Sequence, residues 1–323
     1  MNDATGYPET LLEAVTYFAE GDNALNFVAD LRWKQGPVCP CCGSHNVRFL
    51  ESRKIWECRT KHAKRQFSVK VGTIFEDSPI KLDKWLCTMW MLANCKNGVS
   101  SYEISREIGV TQKTGWFMLQ RIRLAMQTGS IEKMEGIVEA DETYIGGKAR
   151  NMHAAKREKG IGTKSMTPVQ GLLERGTREK VSRIKLRVIK DTTKVEIQKD
   201  VREYVLKGTH VYTDSLHGYK GLADEFTHKF VDHAVQYVKG NVHTNGLENF
   251  WSLLKRGLKG TYVSVEPFHL FRYLDEQAFR YNERKDDNHG RFLNVVGGIF
   301  GRRLTYKKLI GKDGEQGDRL ALA

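Results

Sequence analysis

"GIVEADETYIGG", residues 136 to 147, threads three carboxylates through a run of apolar and β-branched residues and closes on a glycine pair. Such a run predicts a strand that ends in a turn. Side chains alternate along a strand, so Glu139, Asp141 and Thr143 share one face while Ala140, Glu142 and Tyr144 share the other. Which acid faces a site is left open by the alternation, and Glu139 and Glu142 compete with Asp141.

Downstream, "VQGLLER" and "VSRIKLRVIK" read as two more strands around the turn "GTREK", followed by a helix over 193–206. "THVYTDSLHGYKGL" then supplies a fourth strand, 209–213, ending at Asp214. Three hairpin-linked strands, a helix, a further strand and more helices predict an α/β sheet of mixed pairing. The insertion between the first two strands, 148–165, carries Lys148, Arg150, Lys156, Arg157, Lys159 and Lys164 against Glu158. Solvation is the usual meaning of such a run, and its place after an acidic strand also suits a contact with backbone phosphates.

Two more carboxylates stand out. Asp214 lies where a strand gives way to a helix, a position that suits an N-cap as well as it suits a site, with His217 one turn on. In "VHTNGLENFWSLLKR", 242–256, Asn245-x-x-Glu248 has the form of a capping box. Yet Glu248 shares a helix face with Lys255, while Leu247, Phe250, Trp251 and Leu254 form the apolar side. Phosphoryl transfer needs two divalent ions about 4 Å apart, and a few carboxylates from separate elements suffice to hold them.

Upstream, "SYEISREIGVTQKTGWFMLQRIRLAMQ", 101–127, has the rhythm of a helix-turn-helix. Ser100 or Ser101 caps the first helix, Gly109 turns the chain and Thr111 caps the second. Tyr102, Ile104, Ile108, Val110, Trp116, Leu119 and Ile122 are expected inside; Gln112, Lys113, Thr114 and Arg121 are expected to face outward, toward DNA. An apolar helix over 82–95 precedes this segment, with Cys87 and Cys95 expected to be buried thiols.

Before it, Cys39-x-x-Cys42 and Cys58-x-x-x-His62 supply three thiolates and an imidazole, the donor set of a closed tetrahedral zinc site. His45 is a weaker competitor for the fourth place. Cys41, between the two knuckle residues, is expected to be a bystander. Two short amphipathic helices within 8–33 lead into this ribbon.

The formal charge is +13, and residues 1–36 hold six acids against Arg32 and Lys34, so the remaining 287 residues carry +17. That excess points to a polyanionic partner such as nucleic acid. No stretch approaches the roughly 20 apolar residues of a membrane span, and the chain is expected to remain in the cytoplasm, associated with the nucleoid.

Taken together, "CPCCGS", "RQFSVKVGTIFEDSPI", "EADETYIGGK", "YTDSLHGY" and "VHTNGLENFWSLLKRGLKGTYVSV" resemble the IS1595, or ISXO2-like, family of insertion-sequence transposases, over residues 20 to 285. The resemblance implies a zinc ribbon and a helical DNA-binding segment, then a ribonuclease-H-like (DDE integrase) core. It places the three acids on Asp141, Asp214 and Glu248, with Lys255 as the accompanying lysine; Asn245 rivals Glu248, since some relatives have asparagine third. Two Mg²⁺ or Mn²⁺ ions and a structural Zn²⁺ follow from it, as do terminal-repeat and target DNA as partners and a dimer or larger assembly when ends are paired. The departure is at position 61, where Lys61 stands in place of a second Cys-x-x-Cys and His62 must substitute.

The expected organisation is a ribbon segment over 1–75, a helix-turn-helix segment over 76–130, a catalytic domain over 131–290 and a basic tail over 291–323. A DNA-binding relative without catalysis, and a nuclease that cuts without joining, are the alternative functions.

Overall fold

The structure, a computed structural model, describes residues 7–127, 132–146, 166–214, 217–231 and 242–312. The chain divides into two compact units, residues 1–127 with 286–314, and residues 128–285 with 315–323.

In the first unit, α1 (Leu11–Ala19) starts from a capping box in which Thr10 and Glu13 satisfy each other's backbone amides, and α2 (Asn23–Arg32) follows after Gly21. The strands β1 (Val47–Leu50), β2 (Ile55–Cys58) and β3 (Gln66–Phe67) form a small antiparallel sheet in that order. Helices α3 (Leu82–Asn94), α4 (Ser101–Ile108) and α5 (Gln112–Ala125) come next. Two predicted burials fail: Tyr102 is 66% exposed, and Cys95 is exposed with Cys87 only half-buried. Tyr102 is the second residue of α4, whose inward stripe runs through Ile104, so it falls on the solvent side.

The expected tail is also corrected. Residues from 288 form α9 (Asn288–Gly297), whose Phe292, Val295 and Val296 are fully buried, and a short α10 (Tyr306–Leu309). Phe292 stacks on Phe27 with centroids 5.8 Å apart and meets Trp90 at 4.9 Å. Fully burying such a side chain contributes about 1.5–3 kcal/mol. The glycines and basic residues of this segment suggest a tail, but its apolar positions follow a helical period that returns the chain to the first unit's core.

The second unit is built on a five-stranded sheet in the order β6-β5-β4-β7-β8: β4 (Ile137–Ile145), β5 (Thr167–Glu174), β6 (Arg183–Val188), β7 (His210–Asp214) and β8 (Thr227–Val231). β4, β5 and β6 pair antiparallel, whereas β7 runs parallel to both β4 and β8. The expected mixed α/β sheet is therefore present. β8 was not foreseen, because "THKFV" is a polar edge strand with little alternation, and its Phe230 is 60% exposed.

Helix α6 (Lys194–Tyr204) covers one face, where Val138, Ala140, Leu172 and Val211 pack with Ile197 and Val201. Helices α7 (Asn245–Gly257) and α8 (Leu270–Asn282) cover the other, where Val169, Leu173, Ile184 and Leu186 pack with Leu247, Trp251, Leu254 and Leu274. Arg280 on α8, with 10% of its side chain exposed, pairs with the fully buried Glu276. Among the described residues, no helix is long and apolar enough to cross a membrane.

Candidate carboxylate site and metal centre

The register brings two of the acids together. β4 and β7 pair parallel through Ala140 and Thr213, so the next residues, Asp141 and Asp214, stand side by side where that pairing ends. Neighbouring strands lie about 4.8 Å apart, close enough for two carboxylates to repel. Burial pushes the Asp141 carboxyl up to about 6, and the charges of Asp214 and Glu248 add to the rise; the indole N–H of Trp251, donating to Asp141 Oδ2 at 2.9 Å, pulls the other way. Three acids from two strands and a helix thus act on one another, the electrostatics a divalent cation would relieve. Their ligand atoms do not all fall within 4.8 Å of one another. A pair of ions about 4 Å apart spreads its donors more widely than one ion does.

The other two acids of β4 are sorted by the pleat. Glu139 is 1% exposed, accepts from Arg175 Nε at 2.7 Å and from the Leu247 N–H at 2.9 Å, and so belongs to an ion pair at the start of α7. Glu142 points to the opposite face, where the Tyr219 hydroxyl donates to it; burial pushes its carboxyl up to about 8. Tyr219 is itself buried against the α6 side of the sheet. Asp141 is the strand acid left facing Asp214.

Glu248 does not form the expected capping box. Thr244, not Asn245, holds the N-cap position of α7, and Glu248 accepts from the Thr244 hydroxyl at 3.4 Å. The Asn245 amide donates instead to His243 Nδ1, at 3.4 Å. Asn245, Glu248 and Lys255 are all exposed, and Lys255 lies in the last turn of α7. The sequence missed the part played by Trp251, read only as apolar cover. A signal was present in Gly171, a glycine in mid-strand. Gly171 pairs with Asp141, and a methyl there would stand 2.7 Å from the Trp251 ring and 2.9 Å from Leu247. Its bare backbone lets the indole lie flat enough on the sheet to reach Asp141.

In the first unit, Cys39, Cys42, Cys58 and His62 place their ligand atoms within 4.8 Å of one another, the expected donor set. Cys39 Sγ is 3.4 Å from His62 Nε2, and Cys42 Sγ is 3.7 Å from Cys58 Sγ. Burial pushes the Cys39 thiol up, but the Cys42 and Cys41 amides aimed at its sulfur outweigh that and bring it down to about 7. Gly43, at φ +70°, makes the turn that aims them. Cys41 is exposed, and His45 is not in the set. Three cysteine sulfurs and an imidazole nitrogen, all within reach of one point, fit Zn²⁺.

The candidate DNA contacts divide. α4 carries a full capping box, Ser100 with Glu103, and ends on Gly109 in the left-handed region; α5 is capped by Thr111. A methyl on Gly115 would stand 2.9 Å from the Ser101 carbonyl, so the two helices cross closely there. Lys113 is exposed, while Gln112 and Thr114 are half-buried, Gln112 donating to the Ser101 hydroxyl at 2.8 Å and Thr114 hydrogen-bonded to the Thr111 hydroxyl at 2.9 Å. Arg121 is the correction. It is 3% exposed and donates to the Ile74 and Glu76 carbonyls, each at 2.7 Å, with its guanidinium 4.3 Å from the Phe117 ring centre. A long polar side chain midway along α5 looked exposed by periodicity, but it anchors the 74–76 turn. Lys148 and Arg150 lie outside the described residues.

Residues 133–282 match the family described as "ISXO2-like transposase domain", and residues 20–60 match "Transposase zinc-ribbon domain". The second match stops two residues short of His62. The chain is also 31% identical over 256 residues, covering 75% of itself and 84% of the relative, to a protein of Halobacterium salinarum called "Uncharacterized protein in transposable element ISH50".

Proposed function

The chain belongs to the ISXO2-like (IS1595) family of transposases, and from that we propose that it cuts and joins DNA at the ends of its own insertion sequence through Asp141, Asp214 and Glu248. The observation that carries the proposal is the juxtaposition of Asp141 and Asp214 on neighbouring parallel strands, with the charge of Glu248 acting on the same carboxylate. The strand order, with β4 central between an antiparallel hairpin and two parallel strands, supports a ribonuclease-H-like reading of this unit.

The three carboxylates would hold two Mg²⁺ or Mn²⁺ ions, which when bound supply nucleophile activation and charge neutralisation at the leaving oxygen. The chain's own residues orient the reactants. Trp251 fixes the rotamer of Asp141 through its indole N–H, and α7 carries Glu248 and Lys255 on one side, with Lys255 available to a phosphate oxygen. DNA is proposed to be held by the zinc ribbon and by the first turn of α5 through Gln112, Lys113 and Thr114. Lys148 and Arg150 remain proposed phosphate contacts from sequence. Pairing of two ends calls for a dimer or larger assembly with DNA.

The test is a supercoiled-plasmid reaction with a DNA fragment ending in the element's own terminal repeat, with Mg²⁺, scored for nicked and joined products. The proposal expects both from the wild-type chain and neither from Asp141→Asn. Nicks without joining would favour a nuclease, and DNA binding without either would favour a non-catalytic relative.

A further inference from the structure

Resting on the assignment of Glu248 as a metal ligand, we propose that Glu139 is a positioning residue: its buried carboxylate clamps the start of α7 onto β4 and so fixes the distance between Glu248 and Asp141. Both of its oxygens are engaged, Oε1 by Arg175 Nε at 2.7 Å and Oε2 by the Leu247 N–H at 2.9 Å. Leu247 is the third residue of α7 and the immediate neighbour of Glu248. The same guanidinium reaches the segment entering the helix, with Arg175 Nη2 donating to the His243 carbonyl at 2.8 Å and to His243 Nδ1 at 2.7 Å. Residues 243 to 247 are therefore tied to the sheet by one ion pair with one foot on β4 and the other on the residue that follows β5.

The contact is close-fitting as well as charged. A methyl group at Gly246 would stand 2.8 Å from Glu139 Oε2, so an alanine there requires the carboxylate or the helix to shift. A carboxylate at this end of a helix also meets the positive end of the helix dipole. Glu139 and Asp141 are two residues apart on one face of β4, about 7 Å along the strand. Asp141 is thus linked to Glu248 by two strand residues, one short hydrogen bond and one peptide. Its 1% exposure, with an arginine on one oxygen and a backbone amide on the other, sets Glu139 apart from the exposed Glu248.

Two variants of the full chain test this by different routes: Glu139→Gln removes the charge and keeps an amide acceptor, and Gly246→Ala pushes the helix off an unaltered carboxylate. Each is measured for Mn²⁺ binding by calorimetry, for the Mg²⁺ dependence of plasmid cleavage, and for thermal melting. The expected result in both is metal affinity weakened on the order of tenfold, as for other groups that orient ligands, with cleavage partly restored at high metal. Unchanged Mn²⁺ affinity and Mg²⁺ dependence in both variants, whatever the melting temperature, would make Glu139 a fold-stabilising residue only and overturn the proposal. Complete loss of binding in Glu139→Gln alone, matching Asp141→Asn, would make it a ligand and overturn it too. A wild-type chain that binds Mn²⁺ but does not cleave would sink the catalytic reading while the binding comparison still decides this one; no Mn²⁺ binding by the wild type would remove both.

Discussion

Asp141 and Arg121 show how one side chain's surroundings decide its role. Asp141 is raised to about 6 by burial and by its acidic neighbours, and one indole N–H steadies it. Trp251→Phe keeps most of the packing against Gly171 and removes that donor. It should lower the cleavage rate about tenfold, the cost of about 1.4 kcal/mol, while shifting melting by only a few degrees. Equal rates in a side-by-side kinetic assay would show that the indole is packing alone. Arg121, by contrast, is structural: Arg121→Ala leaves the Ile74 and Glu76 carbonyls without their donor. Unsatisfied buried acceptors cost about 1–3 kcal/mol each, so urea unfolding should show a loss of about 2–4 kcal/mol. A merely exposed, DNA-facing arginine would change stability by less than about 0.5 kcal/mol.

Elements explain what could be read in advance. The acidic strand, its two antiparallel partners, the fourth strand ending at Asp214 and the amphipathic α7 were legible because period, turn residues and burial agree along each of them. The ribbon's donors were legible because the spacing of cysteines and histidine carries coordination geometry within itself. Cross-strand facts were not. That Glu139 belongs to Arg175 and Leu247, and Glu142 to Tyr219, depends on partners 36, 108 and 77 residues away. The edge strand β8 was hidden because one solvated side weakens its pattern. Gly171→Ala probes the sheet–helix contact directly. The added methyl overlaps the Trp251 ring, and overpacking of this kind costs about 1–3 kcal/mol, so melting should fall and cleavage should fall with it as α7 lifts away. For the ribbon, His62→Ala should release zinc to a colorimetric chelator at a concentration that leaves wild type loaded, while His62→Cys should retain the ion. Zinc retention by His62→Ala would assign the fourth position elsewhere.

At the scale of the molecule, the chain leaves the first unit at residue 127 and returns to it at 286, so the carboxylate-bearing unit is an insertion between two parts of the zinc- and helix-bearing unit. A chain ending at residue 285 lacks Phe292, Val295 and Val296, all fully buried. It should expose apolar surface and lose the cooperative melting of the first unit, whereas a dispensable tail would leave melting unchanged. The excess of 52 lysines and arginines over 39 acids predicts DNA affinity that falls steeply with added salt. That Asp141, Asp214 and Glu248 form one metal-dependent phosphoryl-transfer site is tested most directly by cleavage and joining of the element's own ends by wild type and by Asp141→Asn at equal DNA occupancy. Wild type is expected to give Mg²⁺-dependent cut and joined products, and the variant to lose at least about a thousandfold in rate with its fold and DNA binding intact. Products from Asp141→Asn at the wild-type rate would contradict it.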